Sequence, residues 1–182
     1  MTGKLDPILD IFKYFEEKSS GFAALPNYTS RGFSAPEQEL IELYQMGGLQ
    51  VDIQAHRDGE KPSQNLEKLI GLAKKFSDSS NLVVYRGISV DEVPIKGSVL
   101  SLKGISGWSL YPNVALGLAK VQLGQHKLVM REKCQLSEQG LFIDEWEQEI
   151  IRLDLTKSVT RITKGTRSTP LGDESVYVLD LA

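Results

Sequence analysis

Glu145, Glu147 and Glu149 stand at every second position of the stretch Glu145-Trp146-Glu147-Gln148-Glu149-Ile150-Ile151-Arg152-Leu153, which runs into an aliphatic strand-like segment. In a strand, side chains at i and i+2 share a face, roughly 6.5 to 7 Å apart. Like charges placed that way repel, and Glu is a poor strand former, so packing alone does not select the pattern. One reading is a solvated face at a strand entrance; the other is a pair of carboxylates set to do chemistry. Two shorter elements precede this stretch: Tyr85-Arg86-Gly87, and Gly104-Ile105-Ser106-Gly107-Trp108-Ser109. Alone, the first is a surface ion-pair partner and the second a glycine-serine turn before a helix. Their order and context give them a joint meaning.

The elements that must position these residues fall into two parts. Up to about Phe76 the chain reads as mostly helical. Asp6-Pro7 is a cap with an N1 proline, followed by Ile8, Ile11, Phe12 and Phe15 at helical spacing. The stretch Phe22 to Phe33 is a turn-rich, aromatic loop. Ser34-Ala35-Pro36-Glu37 has capping-box spacing, with Leu40, Ile41 and Tyr44 as the buried stripe behind it, and Gly47-Gly48 ends or interrupts that helix. A third helix starts near Ser63, with Leu66, Leu69, Ile70, Ala73 and Phe76 inward.

After a polar break at Ser77 to Ser80 the character changes. Strands are expected at Asn81 to Gly87, Ser98 to Leu102, Lys127 to Arg131, Glu147 to Leu153, Val159 to Ile162 and Val176 to Leu181. Pro112 opens a short helix, Asn113 to Val121, with Val114, Ala115, Leu118 and Ala119 inward. Helices first and strands second, without βαβ alternation, indicate an α+β class.

Bulk properties narrow the function classes. At 182 residues the chain is read as a single domain, 1–182, with a mostly helical part over 1–80 and a β core over 81–182. A net charge of −3 argues against a general polyanion binder. The single Cys134 excludes an internal disulfide framework and a cysteine-built zinc site, and the two histidines, His56 and His126, are too few for a typical catalytic metal site or a triad. No metal is expected. Met1 to Phe12 lacks the basic start and apolar run of a signal peptide, and no segment is long enough to span a membrane, so a soluble cytoplasmic protein is the expectation.

In its three ordered elements the chain resembles the R-S-E class of ADP-ribosyltransferases, the arginine-modifying toxin type also found in tailed phages. Arg86 sits in a family-like Tyr-Arg-Gly context. Gly104 through Ser109 looks like the family's "G-F-x-S-T-S" run, followed by Ala115-Leu116-Gly117-Leu118-Ala119 in place of "A-x-x-F-A". Glu147 and Glu149 match the Glu-x-Glu pair. The resemblance covers about residues 82 to 181. It implies two small, roughly perpendicular β-sheets around an NAD cleft, with a helical N-terminal part. It also implies an NAD-dependent mono-ADP-ribosyltransferase that modifies arginine side chains of target proteins and releases nicotinamide.

By the same resemblance Glu149 is the carboxylate beside the ribose and Glu147 faces the incoming guanidinium. Arg86 meets the pyrophosphate, and Gly87, Ser106, Trp108, Ser109 and Leu118 join Arg86 and Glu149 in binding NAD, with Trp108 read equally as a core residue or as a wall of the nicotinamide pocket. Two departures stand out. Gly107 takes the place of the family's first serine, which helps position the catalytic glutamate, so Ser106 or Ser109 would substitute or the contact is missing. Leu118 takes the place of the nicotinamide-stacking phenylalanine. The acceptor-recognition turn maps to approximately Ser137 to Trp146.

The implied partners are NAD and a host or target protein with an acceptor arginine, as for a phage protein or a delivered effector. Lys157, Arg161, Lys164 and Arg167 form a mild basic cluster that reads as a solvated face, so an RNA acceptor has no support. The alternatives are a degenerate NAD-binding or interaction module, an NAD glycohydrolase without transfer, and a glycosidase. The last is disfavoured because acid and nucleophile normally come from different elements.

Overall fold

The computed structural model describes residues 6–11, 13, 15, 32–75, 81–120, 123–135, 140–144 and 149–182. In chain order the elements are β1 (Asp6–Asp10), α1 (Ala35–Gln45), α2 (Gln50–Arg57), α3 (Gln64–Lys75), β2 (Asn81–Val90), β3 (Val99–Ser109), α4 (Pro112–Lys120), β4 (His126–Gln135), β5 (Gly140–Asp144), β6 (Glu149–Thr169) and β7 (Gly172–Leu181). The α+β class read from the sequence holds.

Strand β6 organises the molecule. Its first half pairs antiparallel with β3 on one side and β5 on the other, and its second half pairs with β7 and, in parallel, with β1. Strand β4 then joins β7 to β2. Strands β2 and β3 touch through a single register pair, Tyr85 with Ser109. All seven strands belong to one hydrogen-bonded sheet, but that single pair is the whole β2–β3 link; apart from it the pairings divide into β5-β6-β3 and β1-β6-β7-β4-β2, which share β6.

The core is layered to match. Leu82, Val84, Trp108, Leu128, Met130, Ile150, Leu179 and Leu181 pack between the sheets. Ile105, Ile151 and Leu153 face outward under α1, α2 and α3, against Ile41, Tyr44, Ile53 and Leu66. Val83, Tyr85, Val129 and Val178 form a third cluster with Ala115 and Leu116 of α4 and with Ile11 and Phe15. Alternate residues of β2, β4 and β7 thus serve two clusters, which is why their sequences are apolar on both faces. Leu153 and Leu155 belong to different clusters although they are two apart. A bulge causes this: Gly104 (φ 71°) and Asp154 (φ 41°) stand where the register slips between Leu102 and Ile105, and the Gly104 amide donates to Asp154 Oδ1 at 2.8 Å.

Several expectations need correction. The predicted helix from Asp6 is a strand over Asp6–Asp10, because pairing with β6 outweighs the local cap signal, and helical backbone begins only at Ile11. Gly104 to Ser109 is the second half of β3 rather than a turn, drawn into the sheet by its ladder with Glu149–Leu153. The strands expected at 147–153 and 159–162 belong to one strand, β6. Gly140–Asp144, read as part of a recognition turn, is strand β5. Helix α2 was not expected; it follows the Met46–Leu49 turn that Gly47 (φ 80°) makes possible. Phe12, Phe22 to Arg31, Phe76, Ser137 and Trp146 lie outside the described residues.

Candidate active site

The site is built where β2, β3 and β6 meet the helical layer. Glu149 is the first residue of β6 and stands opposite Ser109 of β3. Directly paired residues share a face, so Glu149, Ser109 and Gly107 look the same way. Gly107 leaves room on that face. A Cβ there would lie 2.6 Å from Glu149 Oε1 and 2.7 Å from Tyr44 Oη. In that space Tyr44, at the end of the α1 stripe, donates its hydroxyl to Glu149 Oε1 at 2.9 Å. Burial, reinforced by the neighbouring Glu149 charge, pushes the Tyr44 phenol well above the usual tyrosine range. Tyr44 is therefore a neutral donor throughout the ordinary pH range.

Two guanidiniums line the same cleft. Arg86 of β2 donates from Nη1 to the Gly107 carbonyl at 2.5 Å, and Arg57, the last residue of α2, donates from Nη2 to the Ile105 carbonyl at 2.6 Å. Burial first, and then the Arg57 charge, lower the Arg86 pKa from its usual value, although a guanidinium stays charged. Both Nε atoms are buried without a hydrogen-bond partner among the described residues. Neither arginine has a carboxylate ion-pair partner among those residues. Two part-buried cations beside each other, held among the described residues by backbone carbonyls, suit an anion with several oxygens.

The cleft has a volume of about 310 Å³, at the small end for ligand sites. Arg57, Arg86, Glu149 and Tyr44 line it with Gly87, Ser109, Trp108 and Leu118. Gly87 is required by packing: a Cβ there would meet the Ala115 carbonyl at 1.6 Å, so α4 can lie against β2 only over a glycine. Leu118 of α4 is half-exposed at the cleft. Ser109 Oγ accepts the Tyr111 amide at 2.9 Å and so fixes the turn into α4. Trp108 borders the cleft, but its side chain turns to the opposite face of β3, where its ring covers the Arg152 guanidinium at 4.9 Å and its Nε1 donates to Ser106 Oγ at 2.9 Å.

Ser106 is not part of the cleft. It is buried on the opposite face of β3, between Trp108 and the Arg152 carbonyl, because it is one residue out of phase with Gly107 and Ser109. The structure thus gathers Arg86, Gly87, Ser109, Leu118 and Glu149 and leaves out Ser106 and, in phase with it, the side chain of Trp108, which is buried in the core. Glu145 and Glu147 lie outside the described residues. Tyr44 and Arg57 were missed by the motif reading: Tyr44 was legible only as part of an apolar stripe, and Arg57 carried no signal because its helix was unforeseen.

A second groove, about 520 Å³, lies between α1 and α3 and is lined by Leu40, Leu43 and Leu72 with Glu37, Lys68 and Lys75. It is larger but lacks the convergent polar groups of the smaller cleft. Among the described residues, no group of three or more His, Cys, Asp or Glu could hold a metal ion, and no helix is long and apolar enough to cross a membrane.

No family model matches the chain, and no curated protein matches it in sequence. Solved structures do match. The enzymatic component C2-I of the C2-toxin from Clostridium botulinum superposes with a TM-score of 0.67 at 17% identity, over 97% of this chain and 49% of C2-I. The chain therefore spans about half the length of that toxin component. The ADP-ribosyltransferase Vis, solved in complex with agmatine, gives 0.60 at 17% identity over 93% of this chain and 82% of Vis. The Clostridium limosum C3 exoenzyme gives 0.58 at 11% identity over 99% and 98%. The fold is that of the ADP-ribosyltransferase toxins.

Proposed function

We propose that this chain, with its ADP-ribosyltransferase toxin fold, cleaves the nicotinamide–ribose bond of NAD and transfers the ADP-ribose to an arginine side chain of a protein. The observation that carries the reading is the meeting of Arg86 and Glu149 in one cleft, against the two faces of Gly107: its carbonyl holds Arg86 and its missing side chain makes room for Glu149. Arg86 is assigned to the pyrophosphate of NAD, with Arg57 as a second cation beside it. Their orphaned buried Nε atoms fit an anion with several acceptor oxygens. Leu118 is assigned the apolar contact for nicotinamide, since the Trp108 ring lies on the other face of β3 over Arg152.

Cleavage leaves the bonding electron pair on nicotinamide and positive charge on the ribose. Glu149, already held by Tyr44, is assigned to stabilise that charge. An arginine nitrogen then bonds to the ribose carbon and loses a proton, for which Glu147 is the assigned acceptor. The arginine assignment rests on Glu147 standing two residues before Glu149. That a neighbour of the same fold was solved with agmatine, itself a guanidine, supports the acceptor class. The acceptor protein is expected in a host or target cell. The reading as a degenerate module draws on Gly107 and Leu118; against it, Glu149 keeps a hydroxyl donor, Tyr44, in the space over Gly107.

The test is incubation of the protein with labelled NAD and a cell lysate, comparing wild type with Glu147→Gln and Glu149→Ala. Label should enter protein with wild type and vanish with Glu149→Ala, while Glu147→Gln loses arginine labelling but keeps some NAD hydrolysis. NAD hydrolysis by wild type without label in any acceptor would instead mark a glycohydrolase.

A further inference from the structure

We propose that Tyr44 is the positioning residue for Glu149, delivering from helix α1 the hydroxyl that a serine at position 107 would otherwise supply; this rests on the proposed reaction at the cleft. The two halves of the exchange are visible together. Position 107, where the resemblance places a serine, is a glycine whose absent Cβ would sit within 2.7 Å of both Glu149 Oε1 and Tyr44 Oη. Tyr44 fills the space and donates at 2.9 Å to the oxygen such a serine would face. The strand and the helix cannot both occupy it: a serine at 107 and this tyrosine exclude each other.

The nearby serines do not fill the role of Gly107. Ser106 points to the other side of β3, where its hydroxyl accepts Trp108 Nε1. Ser109 caps the Tyr111 amide. Tyr44 is well held for its task. Its ring is buried with Leu40 and Ile41 on the packed face of α1, so the hydroxyl reaches Glu149 from a helix that is itself anchored on the β3-β6 surface. The tyrosine stays neutral and keeps its proton, so toward the carboxylate it acts as donor and holds Oε1 in place. Tyr44 touches Glu149 and acts through it.

The experiment measures nicotinamide release from NAD by wild type, Tyr44→Phe, Gly107→Ser and the double variant, with thermal melting of each. Phe keeps the buried ring, so Tyr44→Phe should melt near wild type. It should lower kcat about 10- to 100-fold and leave KM within about 2-fold, since a hydrogen bond to a charged group is lost at the reacting carboxylate alone. Gly107→Ser alone should be impaired, because its Cβ meets Tyr44 Oη and Glu149 Oε1 at once; without the Tyr44 hydroxyl, the Glu149 carboxylate can shift into the vacated space. The double variant should regain about 10-fold in kcat over Tyr44→Phe, with the serine hydroxyl as the new donor. A structural role for Tyr44 would not produce that rescue. Active wild type with Tyr44→Phe unchanged in kcat, or a double variant no better than Tyr44→Phe, overturns the positioning role alone. A wild type that releases no nicotinamide overturns the functional reading and this role with it.

Discussion

A carboxylate stabilises a developing cation only when its position is fixed before the charge appears, and Glu149 is fixed from two directions. It is tied to the ladder by its pairing with Ser109 and to the helical layer by Tyr44. Under the proposed reaction, Glu149→Gln should lower kcat for nicotinamide release by about 10²- to 10³-fold at unchanged melting temperature, the scale for losing one preorganised electrostatic group. Arg86→Lys keeps the charge but loses the planar fork that holds the Gly107 carbonyl and is assigned to the pyrophosphate. It should weaken NAD binding about 10-fold, read by titration; an unchanged affinity would remove Arg86 from the phosphate site. At this scale the sequence was most informative about Arg86 and Glu149. Their types and order are uncommon for packing, whereas a tyrosine in an apolar stripe looks the same whether its hydroxyl meets water or a carboxylate. The phase of β3 also mattered: once residues 104–109 are a strand, Ser106 and Gly107 must face apart, and reading the segment as a turn hid this.

The elements hold the cleft through two devices that make separate predictions. Helix α4 lies so close to β2 that Gly87 has no room for a Cβ, and the obstructing atoms are backbone. Gly87→Ala should therefore destabilise the fold by about 1 to 3 kcal/mol, as overpacking does, and shift Leu118 away from the cleft. Denaturant melts with NAD titration check both effects. Between the two sheets, the buried Arg152 guanidinium grips Glu132 at 2.5 and 3.2 Å, and Lys157 reaches the same carboxylate at 2.8 Å. Burial alone would raise the Glu132 pKa, but the bonds and charges of Arg152 and Lys157 outweigh it and hold it below the usual carboxylate value. The ionised form is thus favoured by folding. Its contribution is complete above the unfolded carboxylate range and is lost as pH falls through the lowered native value. Wild type should lose stability on acidification more steeply than Glu132→Gln, in acid melts below about pH 4.5. At neutral pH, Arg152→Met should cost about 1 to 3 kcal/mol, because it leaves the buried carboxylate with Lys157 as its remaining partner. None of this network was legible beforehand, since β4 and β6 are not sheet neighbours and only the closed arrangement of strands brings Glu132 to Arg152.

At the scale of the whole molecule, the α+β class and the order of helices before strands were readable because hydrophobic period and turn residues report local structure. The N-terminal strand was not: its identity comes from parallel pairing with residues Thr163 to Thr166, more than 150 positions away in the chain. The division of labour expected between a helical part and a β core is also softer than the sequence implied. Tyr44 and Arg57 bring the helical layer into the cleft, so helix packing and chemistry are coupled. A variant that loosens α1 without touching the cleft, such as Leu40→Ala, should therefore reduce stability by about 2 to 5 kcal/mol and lower kcat more than it raises KM. Kinetics at a temperature where the variant remains folded would show it. The fold alone is compatible with several acceptors, but the first chemical step has one substrate bond and one assigned carboxylate. The most direct measurement is nicotinamide release from NAD by wild type and Glu149→Gln, each verified as folded by its melting curve. Steady release by wild type that falls to background with Glu149→Gln is the predicted result. Release that persists unchanged in Glu149→Gln, or no release and no NAD binding by wild type, would contradict the account.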